Sequence, residues 1–236
     1  MYSLSLNMKY WDDGQPNSTR KRNVDFCWSQ LIDLKNFLER NKVPVVSNLY
    51  DFSPEKILEN AFHHPFPLGV YKKAEKTNII LKEQKNFDFF MMIDCDAFFH
   101  KSDYENLLNL LEKLEKGDVI TFDLAKLDDD NTKKIIENSE SLEGIVWSYA
   151  YSGKMENGPL SQHMGGLGGV YLCDTELLLN LGGFDESYEG WGGEDGDMMN
   201  RIWESKKSNK IQPNRTFAPF HLNHFYDWGN PNYFKK

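Results

Sequence analysis

The sequence predicts a single α/β domain, residues 1–236, with a mostly parallel central sheet flanked by helices. Its 236 residues are enough to bury one core without disulfides or a structural metal. Strand-like and helix-like segments alternate in the first half of the chain. The run FFMMI at 89–93 is continuously apolar, which is typical of a strand covered on both faces by helices.

Hydrophobic periodicity places the predicted elements along the chain. Strands are predicted at 2–10, 43–49, 89–93, 119–122 and 145–151, and helices at 24–40, 71–85 and 104–114. The glycine-rich segment 164–173 is interpreted as the approach to a further strand. The polar stretch 131–144 is interpreted as a surface excursion. The triplet Asp128, Asp129 and Asp130 is interpreted as a solvated loop, because no apolar strand leads into it.

Charge and cysteine content narrow the function classes. The net charge is -9 and the pI is near 5.2, which argues against nucleic acid as a partner, since clustered Lys and Arg bind phosphate backbones. No apolar run approaches the roughly 18 residues of a membrane span, and no signal-peptide pattern follows Met1. Cys27, Cys95 and Cys173 lack CxxC spacing, so no thiolate zinc site is indicated. We expect a cytoplasmic protein without a transmembrane segment.

The stretch GGFDESYEGWGGEDGDMMNRIW at 182–203 is the strongest candidate for a ligand site. Its glycines let the backbone approach a bulky ligand, and Tyr188 and Trp191 offer flat faces of the kind that stack on sugar rings. Apolar residues recur at helical spacing at Met198, Met199, Ile202 and Trp203.

A helix is therefore predicted to begin near Glu194 and Asp195, where the macrodipole favours negative charge. The alternative is that these acids only cap the helix, and that role suits Asp197 better. The glycine and tryptophan context favours a ligand-binding role for Glu194 and Asp195.

Asp94 and Asp96 follow the apolar run directly. In an extended segment, residues two apart point to the same side, and ligands of open α/β sheets bind at strand ends. Carboxylate oxygens suit Mg²⁺ or Mn²⁺, and two charges placed after five apolar residues would be poorly solvated without a cation. The alternative is a pair of acids that caps the next turn.

Two further motifs each leave two interpretations. His221 and His224 lie among aromatic residues in FHLNHFYDW at 220–228 and are either packed core residues or metal ligands. Arg20 and Arg22 belong to a short basic cluster. This cluster either binds a diphosphate or uracil, or is a solvent-exposed segment that leads into a helix.

Several of these motifs resemble one known family. The DxD after a buried strand, GGV at 168–170 and GGFDESYEGWGGEDGDMMNR resemble the catalytic domain of the beta-1,4-galactosyltransferases, which are inverting, metal-dependent glycosyltransferases of the GT-A fold. YKKAEKTNI at 71–79 is similar to the helix before their DxD strand. The match runs without a gap from Gly168 to His224, and clear resemblance covers about a third of the chain.

The resemblance implies a role for each matching residue. Asp96 and His224 would bind Mn²⁺ or Mg²⁺, with His221 in the place of a methionine ligand. Asp94 would support the nucleotide. Trp191 would lie between donor sugar and acceptor. Glu194 and Asp195 would hold acceptor hydroxyls, with Asp195 as the general base.

Other residues are predicted to bind substrate: Tyr188, Gly192, Gly193, Gly166, Gly168, Gly169, Arg20, Arg22 and Asn78. Gly166 stands where galactose-using relatives carry a tyrosine, so an N-acetylhexosamine donor should be tolerated. The family's basic and aromatic motif after the first strand is not recognisable here.

The predicted function is transfer of a hexose or N-acetylhexosamine from a UDP-sugar to a glycan or glycoconjugate acceptor, as in polysaccharide biosynthesis. A glycoside hydrolase needs two carboxyl groups on opposite sides of the bond, which the adjacent Glu194 and Asp195 cannot supply between themselves. The remaining alternative is a non-catalytic, metal-dependent glycan-binding module.

Overall fold

The computed structural model describes residues 2–11, 19–67, 72–150, 167, 169–190, 193–214 and 217–223. The strands are β1 (Leu4–Tyr10), β2 (Val45–Asp51), β3 (Phe62–His63), β4 (Phe89–Asp94), β5 (Ala97–Phe98), β6 (Asp118–Phe122), β7 (Leu124–Leu127), β8 (Trp147–Ala150), β9 (Val170–Asp174), β10 (Lys210–Asn214) and β11 (Phe220–His221). The helices are α1 (Arg20–Arg40), α2 (Lys73–Glu83), α3 (Tyr104–Leu111), α4 (Asp129–Glu137), α5 (Thr175–Asn180) and α6 (Glu194–Ser205). No described helix is both long enough and apolar enough to cross a membrane.

The larger sheet has the strand order β10-β6-β9-β4-β1-β2-β3. β1 pairs in parallel with β2 and β4, β2 with β3, and β10 with β6. β9 lies between β4 and β6 and runs antiparallel to both. The predicted α/β class is confirmed, and the antiparallel β9 makes the sheet mixed.

β4 contributes to the apolar cores on both faces of this sheet. Phe89, Met91 and Ile93 belong to the core that includes α1 and α3. Phe90 and Met92 belong to the core that includes α2, α5 and α6. Burial on both faces explains why the FFMMI run is apolar at every position.

A second, smaller sheet has the order β5-β11-β7-β8 and was not predicted from the sequence. β5 and β11 have two residues each, which is too short for a periodic pattern. β11 brings the chain beside the turn that follows β4, since Leu222 N donates to Asp96 O at 2.8 Å. This sheet therefore positions the residues around His221.

The start of α1 was predicted wrongly, and α4 was not predicted. α1 begins at Arg20 rather than at Val24, so the basic cluster forms the first turn of the helix. α4 occupies much of the stretch that was interpreted as a loop and a surface excursion. Asp128 caps α4 by accepting a hydrogen bond from Asn131 N, and Ile135 is buried. The cap and the burial of Ile135 stabilise a helix in a sequence that is mostly polar.

Candidate active site

The carboxyl ends of β1 and β4 form the floor of the candidate site. Lys9 and Asp94 are partners in the parallel register of these strands. Lys9 is buried, and its Nζ donates to Thr77 Oγ1 on α2 at 3.0 Å. Desolvation lowers the pKa of Lys9 and raises the pKa of Asp94, and in each case the opposite charge of the partner acts against the shift. The strand ends thus hold a lysine and an aspartate side by side.

The first residues of α2 and α6 meet above this floor. Lys73 Nζ lies 2.6 Å from Asp195 Oδ2 and 3.3 Å from Glu194 Oε1. The side chains are 12% exposed for Lys73, 3% for Glu194 and 19% for Asp195. One ammonium group therefore bridges the two carboxylates predicted to act on the acceptor.

Each of these carboxylates keeps a second oxygen without a hydrogen-bond donor among the described residues, namely Glu194 Oε2 and Asp195 Oδ1. Desolvation raises the pKa of Glu194, Asp195 raises it further, and Lys73 acts in the opposite direction. Buried polar atoms without partners are rare in folded proteins. These two oxygens are suited to accept hydrogen bonds from a bound ligand.

Asp96 and His221 form the part of the predicted metal site that the structure describes. Both residues are buried, and His221 Nε2 lies 3.5 Å from Asp96 Oδ1. Within the described residues, no group of three or more His, Cys, Asp and Glu side chains converges as a metal site. His224, the third predicted ligand, lies outside the described residues. The Asp96 carboxylate could serve as a ligand of a hard divalent cation such as Mn²⁺ or Mg²⁺, whereas an imidazole nitrogen is typically a ligand of transition metals.

Asp94 and Asp96 do not lie on one extended strand, contrary to the prediction for the DxD motif. β4 ends at Asp94, and Cys95 and Asp96 form a turn, so strand alternation does not set the direction of Asp96. The hydrogen bond from Leu222 N to the Asp96 carbonyl oxygen fixes this turn instead. Gly169 O accepts from Asp94 N at 3.0 Å, which places the glycine-rich approach to β9 against the same strand end.

Asn78 holds the loop that precedes the acidic cluster formed by Glu194 and Asp195. Its Nδ2 donates to Phe184 O and to Glu186 Oε1, each at 2.8 Å, and its Oδ1 accepts from Phe184 N. A Cβ added to Gly183 would lie 2.5 Å from Asn78 Oδ1. Both Nδ2 and Oδ1 of this buried amide form hydrogen bonds within the protein. We therefore assign Asn78 to loop positioning rather than to direct substrate contact.

Tyr188 and Gly193 shape the start of α6. Gly193 has a φ of 98°, and a Cβ there would lie 2.7 Å from Tyr188 Cε1. Tyr188 is partly exposed. Gly190 forms a parallel bridge with Lys72, the residue before α2. The acidic cluster and the start of α2 are therefore linked through both backbone and side chains.

The two predicted arginines differ in position. Arg20 is half-buried, and its guanidinium carbon lies 6.0 Å from the centroid of the Trp11 ring at the end of β1. Arg22 is exposed and donates to Asn23 Oδ1, and Asn23 in turn donates to the carbonyl oxygen of Asn223. Arg20 thus faces the candidate site, whereas Arg22 helps to anchor the segment that leads to His224.

Comparison with known proteins gives one family model. The model described as the N-terminal domain of galactosyltransferase matches residues 156–229, which is less than half of the chain. No curated protein matches the sequence.

Solved glycosyltransferase structures match nearly the whole chain at low identity. The catalytic domain of Drosophila beta1,4-galactosyltransferase 7 with xylobiose has a TM-score of 0.53 and 13% identity, covering 95% of this chain and 70% of that one. The mannosyltransferase PcManGT from Pyrobaculum calidifontis with GDP-Man and Mn²⁺ has a TM-score of 0.53 and 13% identity, covering 94% and 57%. Glucosyl-3-phosphoglycerate synthase from Mycobacterium tuberculosis with Mg²⁺ and UDP has a TM-score of 0.51 and 15% identity, covering 94% and 72%.

This chain has the GT-A fold. The galactosyltransferase-type segment and this fold together support a glycosyltransferase. The predicted GT-A fold, the resemblance to the galactosyltransferases and the predicted glycosyltransferase class are confirmed.

Five predicted site residues of this glycosyltransferase lie outside the described residues: Gly166, Gly168, Trp191, Gly192 and His224. The structure brings Asp94, Glu194 and Asp195 close enough together that the charges of all three act on the buried Lys9. It places Asp96 and His221 together at the junction with the second sheet.

Sequence reasoning missed the basic and aromatic surroundings of this GT-A site. Lys76 is buried, with its Nζ 4.5 Å from the centroid of Trp11 and 5.2 Å from that of Phe66. Desolvation, with a smaller contribution from the charges of Lys9 and Arg20, lowers the pKa of Lys76 to about 7. The available signals in the sequence were Lys9 near the end of the first predicted strand and the lysine-rich start of the helix predicted at 71–85.

Proposed function

We propose that this chain is an inverting, metal-dependent glycosyltransferase that moves a hexose or N-acetylhexosamine from a UDP-sugar to a sugar hydroxyl of a glycan or glycoconjugate acceptor. The observation that carries this proposal is the pair Glu194 and Asp195, held by Lys73 at the start of α6 beside Asp94. Inversion by a single displacement requires one base on the acceptor side, and this pair supplies it.

Asp195 is the base in this proposal. Its Oδ2 is held by Lys73, and its Oδ1 has no donor among the described residues, so one oxygen can accept the proton of an incoming hydroxyl. The start of α6 favours negative charge at this position. A positioned general base contributes about 10² to 10⁴ in rate. Glu194 Oε2 would accept a second hydroxyl of the acceptor sugar and so orient it.

The donor side is proposed to use Asp96, His221 and His224 as metal ligands. A divalent cation held there would neutralise negative charge on the leaving diphosphate as a Lewis acid. Solved GT-A neighbours carry manganese with UDP-Gal or Mg²⁺ with UDP, which supports this assignment. Arg20 and the Trp11 ring, at the end of β1, suit a nucleotide diphosphate.

The donor sugar and the compartment remain predictions. Gly166 predicts room for an N-acetyl group beside the donor sugar. Cys27, Cys95 and Cys173 are all free and buried, which agrees with the cytoplasm expected from cysteine spacing.

Two variants test this proposal. Asp195→Asn keeps the size of the side chain but removes the basic carboxylate, so transfer should fall by about 10² or more while Mn²⁺-dependent UDP binding persists. Asp96→Asn should weaken UDP binding itself, measured by calorimetry with and without Mn²⁺. Transfer near the parent rate by Asp195→Asn would exclude this residue as the base. Affinity for free glycan without metal-dependent UDP binding in the parent would favour the glycan-binding module.

A further inference from the structure

Lys73 divides the oxygens of the acidic pair into two sets. Its ammonium contacts Asp195 Oδ2 at 2.6 Å and Glu194 Oε1 at 3.3 Å. The other oxygen of each carboxylate has no donor among the described residues. The two oxygens left without a donor are therefore one from each acid.

The position of Lys73 is fixed by the surrounding chain. It is the first residue of α2, and its carbonyl oxygen accepts from Thr77 Oγ1 at 2.8 Å. Thr77 Oγ1 in turn accepts from Lys9 Nζ, which joins α2 to the end of β1. The bridge between Lys72 and Gly190 ties the same end of α2 to the loop before α6. Lys73 thus approaches the acids from a rigid element.

The positive charge of Lys73 allows Glu194 and Asp195 to be ionised at the same time. Adjacent carboxylates in a desolvated place repel each other, and one of them would otherwise take up a proton. A protonated acid donates a hydrogen bond where an acceptor hydroxyl also needs to donate. A cation that touches both carboxylates removes this conflict.

We propose that Lys73 is a positioning residue for the acceptor sugar. It holds Asp195 Oδ2 and Glu194 Oε1, which leaves Asp195 Oδ1 and Glu194 Oε2 to two hydroxyl groups of one acceptor. The inference rests on the proposed sugar transfer, and it adds a residue on α2 to the acceptor side of the site.

The test compares Lys73→Met, which removes the charge at similar length, with Lys73→Arg, which keeps it. Lys82→Met, at an exposed position in the last turn of α2, is the matched control. Transfer kinetics are measured with acceptor and UDP-sugar varied separately, and UDP binding is measured by calorimetry with Mn²⁺. A charge-assisted contact predicts a loss of about tenfold or more in kcat/KM for the acceptor in Lys73→Met.

The expected pattern is specific to a positioning role. Lys73→Met should keep the KM for UDP-sugar and the affinity for UDP within about twofold of the parent, and Lys73→Arg should recover most of the acceptor kcat/KM. The control should match the parent. Unchanged acceptor kinetics in Lys73→Met, or an equal loss of UDP binding, would overturn the inference while leaving the proposed function standing. A parent protein that transfers no sugar would overturn both.

Discussion

Tyr171 is a fully buried residue whose hydroxyl has no hydrogen-bond partner among the described residues. Its ring lies 6.3 Å from those of Phe90 and Phe184, so apolar packing holds it in place. Burial raises its pKa, and the neighbouring Cys173 and Asp195 raise it further, which keeps the phenol neutral and able to donate. A neutral donor near Asp195 suits an oxygen atom of a bound substrate.

We expect Tyr171→Phe to separate stability from activity. Removing an unpartnered hydroxyl should leave the free energy of unfolding unchanged or raise it by up to about 1 kcal/mol. Loss of one neutral hydrogen bond to substrate should lower kcat/KM by about two- to tenfold. Urea unfolding and steady-state transfer measure the two effects. A clear loss of stability would show that the hydroxyl has a partner within the protein.

The start of α6 depends on a residue that tolerates positive φ. Gly193→Ala would place a Cβ 2.7 Å from the Tyr188 ring at a φ of 98°. We expect it to lower the free energy of unfolding by about 1–2 kcal/mol and to weaken acceptor binding, because the acids follow directly. Gly196→Ala is the control, since no neighbouring atom lies within 4 Å of its added Cβ. An alanine inside the helix should stabilise by about 0.5–1 kcal/mol.

If the two variants changed stability equally in thermal unfolding, the constraint at Gly193 would not exist.

Elements with a strong periodic or compositional signal were predicted well. β4 was recognised from its apolar run, and α6 from its apolar spacing after the acids. α4 was missed because a capping aspartate and a few apolar residues form a helix in a polar stretch. The second sheet was missed because strands of two residues carry no period and depend on partners far away in the chain.

Separation along the chain decides which residues of the site can be recognised from the sequence. The acidic pairs Asp94 and Asp96, and Glu194 and Asp195, were found because the two members of each pair lie within two positions of each other in the chain. Lys73 and Asp195 are 122 positions apart, and their contact exists only once α2 and α6 pack on the same face of the sheet. The cation that organises the acids is therefore visible only in the folded protein.

Stability at low pH should depend on the carboxylate of Asp51, the last residue of β2. Burial alone would raise the pKa of Asp51, but hydrogen bonds from Ser53, Leu58 and Ile57 outweigh it and lower the pKa below its ordinary value. This stabilisation is complete above the unfolded pKa of about 3.9 and is lost as pH falls through the lower folded pKa.

Asp51→Asn should therefore lower the free energy of unfolding by about 2 kcal/mol at pH 7. The difference from the parent should shrink as the pH falls below about 4. Urea unfolding at several pH values measures this difference. Glu55→Gln, which changes an exposed carboxyl group in the loop after β2, should have little effect. A difference that stayed constant down to about pH 3 would mean that the charge of Asp51 is not involved.

The three buried thiols can report on the opening of different parts of the molecule. Cys27 and Cys95 both belong to the core beneath α1, with Cys95 in the turn between Asp94 and Asp96, and Cys173 belongs to the core beneath α2 and α6. Burial raises the pKa of each thiol, so alkylating reagents react only when the surrounding structure opens. The protein thus carries native chemical reporters for each face of its sheet and for the turn that holds the proposed metal ligand.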